Sequence, residues 1–302
     1  MAETSSSSMT FISKHLNTAI LNFKCFCGMG RQHPSYSVVE YIILPNLTLD
    51  VPYSLRCNPY TKEVSAVSDE WLISLASLSP TQEREFRGLH AGLLCGSSYV
   101  DCEAEQLRAV TDFTSFLFCL DDWSDEFDTA GTKGLAECVL NTLYHPDTYF
   151  ADAVVWRVTN DGCKAGFTLI EYSLNIELLD DIAEHPVIRD LEDAANDAIS
   201  WQNTHNLVVV LMNQLKLSRQ DAIDRATDLT RDTIARFETS RVQLPSWGAG
   251  LDDSVRKYVQ GLQDWVVSNC HWSFDTERYF GGAGADVKET LRIPLLPRRP
   301  TR

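Results

Sequence analysis

An all-α chain folded as one domain of many helices is what this sequence predicts, and three observations predict it. From Leu44 almost to the C-terminus, apolar residues recur at helical spacing. No run alternates apolar and polar residues for long enough to form a sheet. Turn signals at His145-Pro146, Asp161-Gly162, His185-Pro186 and Pro245-Ser-Trp-Gly248 separate the periodic segments. There is no internal repeat.

The elements follow in order. Residues 1–42 differ from the rest: the SSSS tract, the cluster KCFCGMGRQHP and the lack of periodicity read as a flexible leader, with 43–302 as the helical domain. Pro45, Pro52 and Pro59 mark an extended, turn-rich approach. A helix is expected from Ser68, with Ser68 as its N-cap. Another begins at Pro80, since proline is tolerated in a first turn. Residues 104–126 make a long third helix, and 132–143, 164–177, 187–217, 219–239 and 252–274 follow.

Bulk composition narrows the function. The 302 residues are 44% hydrophobic, which supports a sizeable core. A net charge of −16 and a pI near 4.8 argue against nucleic acid as a partner. They do not exclude a small anionic substrate, because a metal ion inverts local charge. No run reaches the roughly 18 apolar residues of a membrane span. The N-terminus lacks the charged head and apolar core of a secretory signal. Nine cysteines without regular spacing read as free thiols in a reducing compartment, so a cytoplasmic location is expected.

The chemistry concentrates in FLFCLDDWSDEFD, residues 116–128. On a helix, Asp121 and Asp125 share a face, and Asp122 lies three before Asp125. Acids at a helix C-terminus oppose the macrodipole and repel one another. Phe116, Leu117, Phe118 and Leu120 just before them mark the helix as central. A solvated acidic helix end is the bland alternative. A cation that bridges the carboxylates removes both penalties, and magnesium, held by one or two carboxylates plus substrate phosphates, suits the site.

Asp121-Asp122-Trp-Ser-Asp125 is a DDxxD motif, and its context resembles the class I terpene synthases, more closely the sesquiterpene synthases of mushroom-type fungi. HWSFDTERYF (271–280) resembles that family's closing segment, and Leu44-Pro45-Asn46-Leu47 its start. Glu184-His-Pro-Val-Ile-Arg189, Leu244-Pro-Ser-Trp247 and Leu296-Pro-Arg-Arg299 fit as well, so the resemblance covers about residues 44 to 300.

The resemblance implies a helical barrel around a central apolar cavity, and magnesium-triggered ionisation and cyclisation of a prenyl diphosphate, best guessed as farnesyl diphosphate. Three magnesium ions are expected in an intact member. No nucleophile is required. Asp121, Asp122 and Asp125 would hold metal, Arg278 and Tyr279 would reach the diphosphate, and Phe113, Phe116 and Trp272 are candidate cavity walls. Aromatic faces stabilise a carbocation without attacking it, although aromatics at helical spacing are mostly core. A monomer or a homodimer is equally compatible.

Two departures from the family pattern stand out. The second metal motif, an Asn, a Ser and a Glu each four apart, is incomplete. Asn196, Ser200 and Thr204 have the spacing but end in a poor ligand. In a better register Trp201-Gln-Asn203 opens the motif and His205-Asn206 follows it, so Asn203 is the first ligand and its Ser and Glu are missing. Near Tyr149 to Arg157 a further helix is missing, and only Arg157 stands where the family has an arginine pair that senses diphosphate. Two internal deletions, with impaired activity, are therefore expected. The alternatives are a chain-elongating prenyl diphosphate synthase, for which Asp180-Asp181-Ile-Ala-Glu184 has the shape of a second acid motif, and a non-catalytic helical paralogue that binds a prenyl ligand or a partner.

Overall fold

Asn58 fixes where the first long helix starts. Its Oδ1 accepts from the backbone N–H of Tyr60 at 2.9 Å, and its carbonyl accepts from Thr61 Oγ1 at 2.6 Å. Its amide also donates to the carbonyls of Tyr99 and Cys102. The helix so opened, α2 (Thr61–Ala76), begins seven residues upstream of the cap read at Ser68. Ser68 is fully buried in mid-helix and its hydroxyl has no partner. The correction has a plain cause: Val64, Ser68 and Leu72 lie four apart on the buried face, so the apolar stripe starts before the apparent cap.

The structure is a computed structural model that describes residues 41–76, 78–124, 162–202 and 205–295. Residues 1–40 of the leader read over 1–42, the helix expected at 132–143, the second deletion at 149–157 and the tail from 296 lie outside the described residues, while Tyr41 and Ile42, read as the end of that leader, belong to a strand. The described helices are α1 (Leu47–Asp50), α2, α3 (Pro80–Gly88), α4 (Ala91–Ser98), α5 (Ala104–Ser124), α6 (Gly162–Leu174), α7 (Asp180–Ala183), α8 (Pro186–Gln202), α9 (His205–Leu215), α10 (Arg219–Val242), α11 (Ala249–Asp275), α12 (Glu277–Phe280) and α13 (Gly284–Thr290). Two short strands, β1 (Tyr41–Ile43) and β2 (Arg292–Pro294), pair antiparallel with Ile42 opposite Ile293. The segment read as one helix over 187–217 is described as two, α8 and α9.

α11 is the axis of the core. Val255, Tyr258, Val259, Leu262, Trp265, Val266, Val267, Cys270 and Trp272 are all buried along it. Each large apolar side chain withdrawn from water in this way contributes about 1.5–3 kcal/mol. α6 approaches closely because Gly261 faces Ile170 and Gly166 faces Trp265 with no room for a Cβ. α8 covers the other side with Ile188, Leu191, Ala194, Ala195, Ala198 and Ile199. Tyr258 on α11 donates to Glu192 on α8 at 2.6 Å.

Two side-chain links tie the ends of α5 to the second half of α11 and the turn after it. At one end Arg56 bridges Asp101, just before α5, and the buried Asp264 on α11. At the other, the last turn of α5 meets the turn that follows α11.

Candidate diphosphate and metal site

The site is built where α5 ends and α11 turns into α12. Thr276 caps α12: its hydroxyl accepts from the Arg278 backbone N–H at 3.2 Å and donates to the Gly88 carbonyl at the end of α3. That turn aims Arg278 back across the end of α5. Its Nη1 lies 3.1 Å from Asp122 Oδ1, with the Arg278 and Asp122 side chains 27% and 53% exposed. The Arg278 guanidinium carbon also lies 5.7 Å from the centre of the Phe118 ring. Residues 156 apart in sequence, each singled out for diphosphate or metal chemistry, are thus in contact.

Beneath them lies an aromatic group. Phe118 stacks on Trp272, with ring centres 5.5 Å apart and planes 27° apart. Tyr279 meets Trp272 edge-on at 6.0 Å. Trp272 is 3% exposed, and its indole N–H donates to the Leu89 carbonyl at 2.8 Å and the His90 carbonyl at 3.2 Å. His90 holds a left-handed backbone, φ 52°, where it presents that carbonyl at the start of α4.

The remaining candidates are placed as follows. Asp121 lies in the last turn of α5, with its side chain outside the description, and Asp125, Arg157, Asn203 and Thr204 lie outside the described residues. Phe113 is half-buried on α5, and Phe116 packs with Leu72, Phe86 and Leu89 in a separate cluster under α2 and α3. On α8, Ser200 is exposed, whereas Asn196 is half-buried with its Oδ1 buried and unpartnered. Asp180 and Asp181, the acid motif of the chain-elongating alternative, sit exposed in the single turn of α7. Phe118 and Thr276 were not singled out from the sequence. Phe118 was legible in principle, since it lies four residues before Asp122 and shares its face.

Among the described residues no group of three or more His, Cys, Asp and Glu side chains converges. Of the oxygen donors singled out, the Asp122 carboxylate is open to solvent at this end, and the Asn196 carbonyl oxygen is buried on α8 without a partner. Both are hard oxygen donors, and magnesium is commonly held by only one or two carboxylates with the rest of its shell from water and phosphate. The residues fit such an ion.

A cavity of about 1180 Å³ lies away from this end. Arg56, Asp101, Glu238, Arg241, Val259 and Gln263 line it, at the opposite end of α11. Its charges are already matched. Glu238 accepts from Tyr53 at 3.0 Å, from Gln263 at 3.1 Å and from Arg241 at 2.8 Å. Burial alone would raise the Glu238 carboxyl, but these donors hold it below its ordinary value.

Comparison with known proteins agrees with the geometry. The family described as terpene synthase family 2, C-terminal metal binding, matches residues 144–236. Sesquiterpene synthase 3 of Postia placenta is 41% identical, covering 87% of this chain and 91% of that protein. Sesquiterpene synthase Agr1 of Cyclocybe aegerita is 36% identical, covering 89% and 97%. These alignments run over 331 and 337 positions, more than the 302 residues of this chain, so the relatives carry residues that have no counterpart here. Among solved structures, a hedycaryol synthase superposes with a TM-score of 0.63 at 19% identity, over 76% of this chain and 98% of that one. A single-substitution variant of cucumene synthase gives 0.61 at 20% identity, over 74% and 98%. The fold is therefore that of the class I terpene synthases, and the chain belongs to the terpene synthase family, among its fungal sesquiterpene synthases.

Proposed function

We propose that this chain binds farnesyl diphosphate with magnesium at the α5–α12 end, expels the diphosphate and cyclises the remaining cation to a sesquiterpene. The observation that carries this reading is the contact of Arg278 with Asp122, which puts a cation for the leaving group beside an acid for the metal. Asp121, Asp122 and Asp125 would hold the ion, with Asn196 or Asn203 on the facing side. A bound magnesium ion supplies Lewis acidity to the leaving phosphate oxygens. Arg278 offers a fixed positive charge and a planar set of donors that match phosphate. Tyr279 would add a hydroxyl donor. Phe118, stacked on Trp272, gives the guanidinium an apolar support on one side.

We propose further that turnover is reduced. The aligned length of the relatives exceeds that of this chain, and the second metal motif lacks its Ser and Glu. This favours a second reading, a protein that keeps the metal and diphosphate site but turns over little substrate.

Two measurements separate the readings. Magnesium with inorganic pyrophosphate should raise the melting temperature, because a ligand that binds only the folded state must stabilise it. Release of diphosphate from farnesyl diphosphate then tests catalysis. A thermal shift with no release supports the binding protein, release supports the enzyme, and neither would dismiss both.

A further inference from the structure

We propose that Phe118 is a positioning residue for Arg278, and that it holds the guanidinium at the end of α5 ready for an anionic phosphate group. The proposal rests on the reading of Arg278 as the cation for diphosphate. Both halves of Arg278 are fixed in the structure. Its backbone N–H is held by Thr276 at 3.2 Å, and its guanidinium lies over the Phe118 ring at 5.7 Å. Phe118 is itself immobilised. Its ring stacks on Trp272, which is anchored to the Leu89 carbonyl at 2.8 Å.

The choice of an aromatic partner has a physical consequence. A carboxylate that orders an arginine also neutralises it and competes with an incoming phosphate for the same donors. A ring face attracts the guanidinium through its quadrupole without itself accepting from the N–H groups at the edge. Asp122 can thus leave Arg278 when ligands arrive, and Phe118 still keeps the side chain from swinging into solvent. An arginine held in this way loses less rotamer freedom on binding than a free one.

The test uses the full chain and inorganic pyrophosphate with magnesium, followed by titration calorimetry. Phe118→Leu keeps the apolar volume and removes the ring face; Phe118→Tyr keeps the face. Phe118→Leu should weaken pyrophosphate binding about fivefold, and Phe118→Tyr should stay within about twofold of the original. In an Arg278→Gln background Phe118→Leu should have no further effect, which a purely structural role would not produce. The Arg278 Hε resonance gives a ligand-free readout: it should be shifted upfield by the ring, move in Phe118→Leu and stay in Phe118→Tyr. Equal loss in both backgrounds, no loss in Phe118→Leu, or an unmoved resonance overturns the proposal. If the unmutated chain binds no pyrophosphate, the diphosphate reading falls, and the resonance alone decides whether Phe118 holds Arg278.

Discussion

Arg56 and Asp264 show how a single pair ties the N-terminal segment to the core. The Asp264 side chain is 4% exposed and the Arg56 side chain 35%, and they meet at 2.5 Å. Burial raises the Asp264 carboxyl above its ordinary value, and Arg56 opposes that rise. The two ends of the pair are therefore unequal. Arg56→Leu strands a buried carboxylate and should cost about 3 kcal/mol, read by urea unfolding at neutral pH. Asp264→Asn should cost less, because Arg56 keeps Asp101 and water. The pH dependence has a definite sign. With Arg56 removed, the raised Asp264 value makes the folded state hold its proton more tightly than the unfolded state. The penalty is fully present above that raised value and fades as pH falls through it, so the gap in melting temperature between Arg56→Leu and the original should narrow as pH falls from neutral toward the ordinary carboxylate range. A constant gap would mean that Asp264 is not the group left stranded.

At the scale of elements, local signals and close packing each carry part of the fold. α3 opens with a capping box: Ser79 Oγ accepts from the Gln82 N–H at 3.3 Å, and Gln82 Oε1 accepts from the Ser79 N–H at 3.0 Å. Ser79→Ala should cost about 1 kcal/mol in thermal or urea unfolding. α4 lies against α2 through two glycines one turn apart. A Cβ on Gly92 would lie 2.0 Å from Ser65 Oγ, and one on Gly96 would lie 2.1 Å from Thr61 Oγ1. Gly96→Ala must push α4 away from Thr61, with a cost of about 1–3 kcal/mol, and unchanged stability would show that α2 yields freely. The same two helices show what a sequence carries. Pro80 and the long apolar periodicity of 104–126 were readable because a proline start and a sustained helical period are local signals. α4 was not: seven of its eight residues are buried, so it has no polar face to give a period. Nor was the β1–β2 pair, three residues per strand, joined across almost the whole chain. Ser68 misled because an N-cap residue type can also serve as a small buried residue on a helix face.

Across the whole molecule, chemistry is placed by the ends of helices rather than by any one segment. The DDxxD run and the Arg278-Tyr279 pair were legible as chemistry in the sequence, and their contact was not, because it depends on α5 and α11 ending side by side. Trp272 illustrates the limit of reading a role from residue type. It is read from the sequence as a candidate cavity wall, and the structure buries it with its indole N–H committed to the turn before α4. The leucine-rich and aromatic composition could not separate those roles, since both need a large apolar surface. The question of turnover belongs to the same scale, because the relatives carry residues that have no counterpart in this chain. The most direct measurement is headspace gas chromatography with mass spectrometry after incubating the purified chain with farnesyl diphosphate and magnesium, with Asp121→Asn as control. The account predicts cyclic sesquiterpene at a low rate, lost in Asp121→Asn. A folded, pyrophosphate-binding chain that makes no hydrocarbon would contradict it and leave a terpene synthase in fold and descent alone.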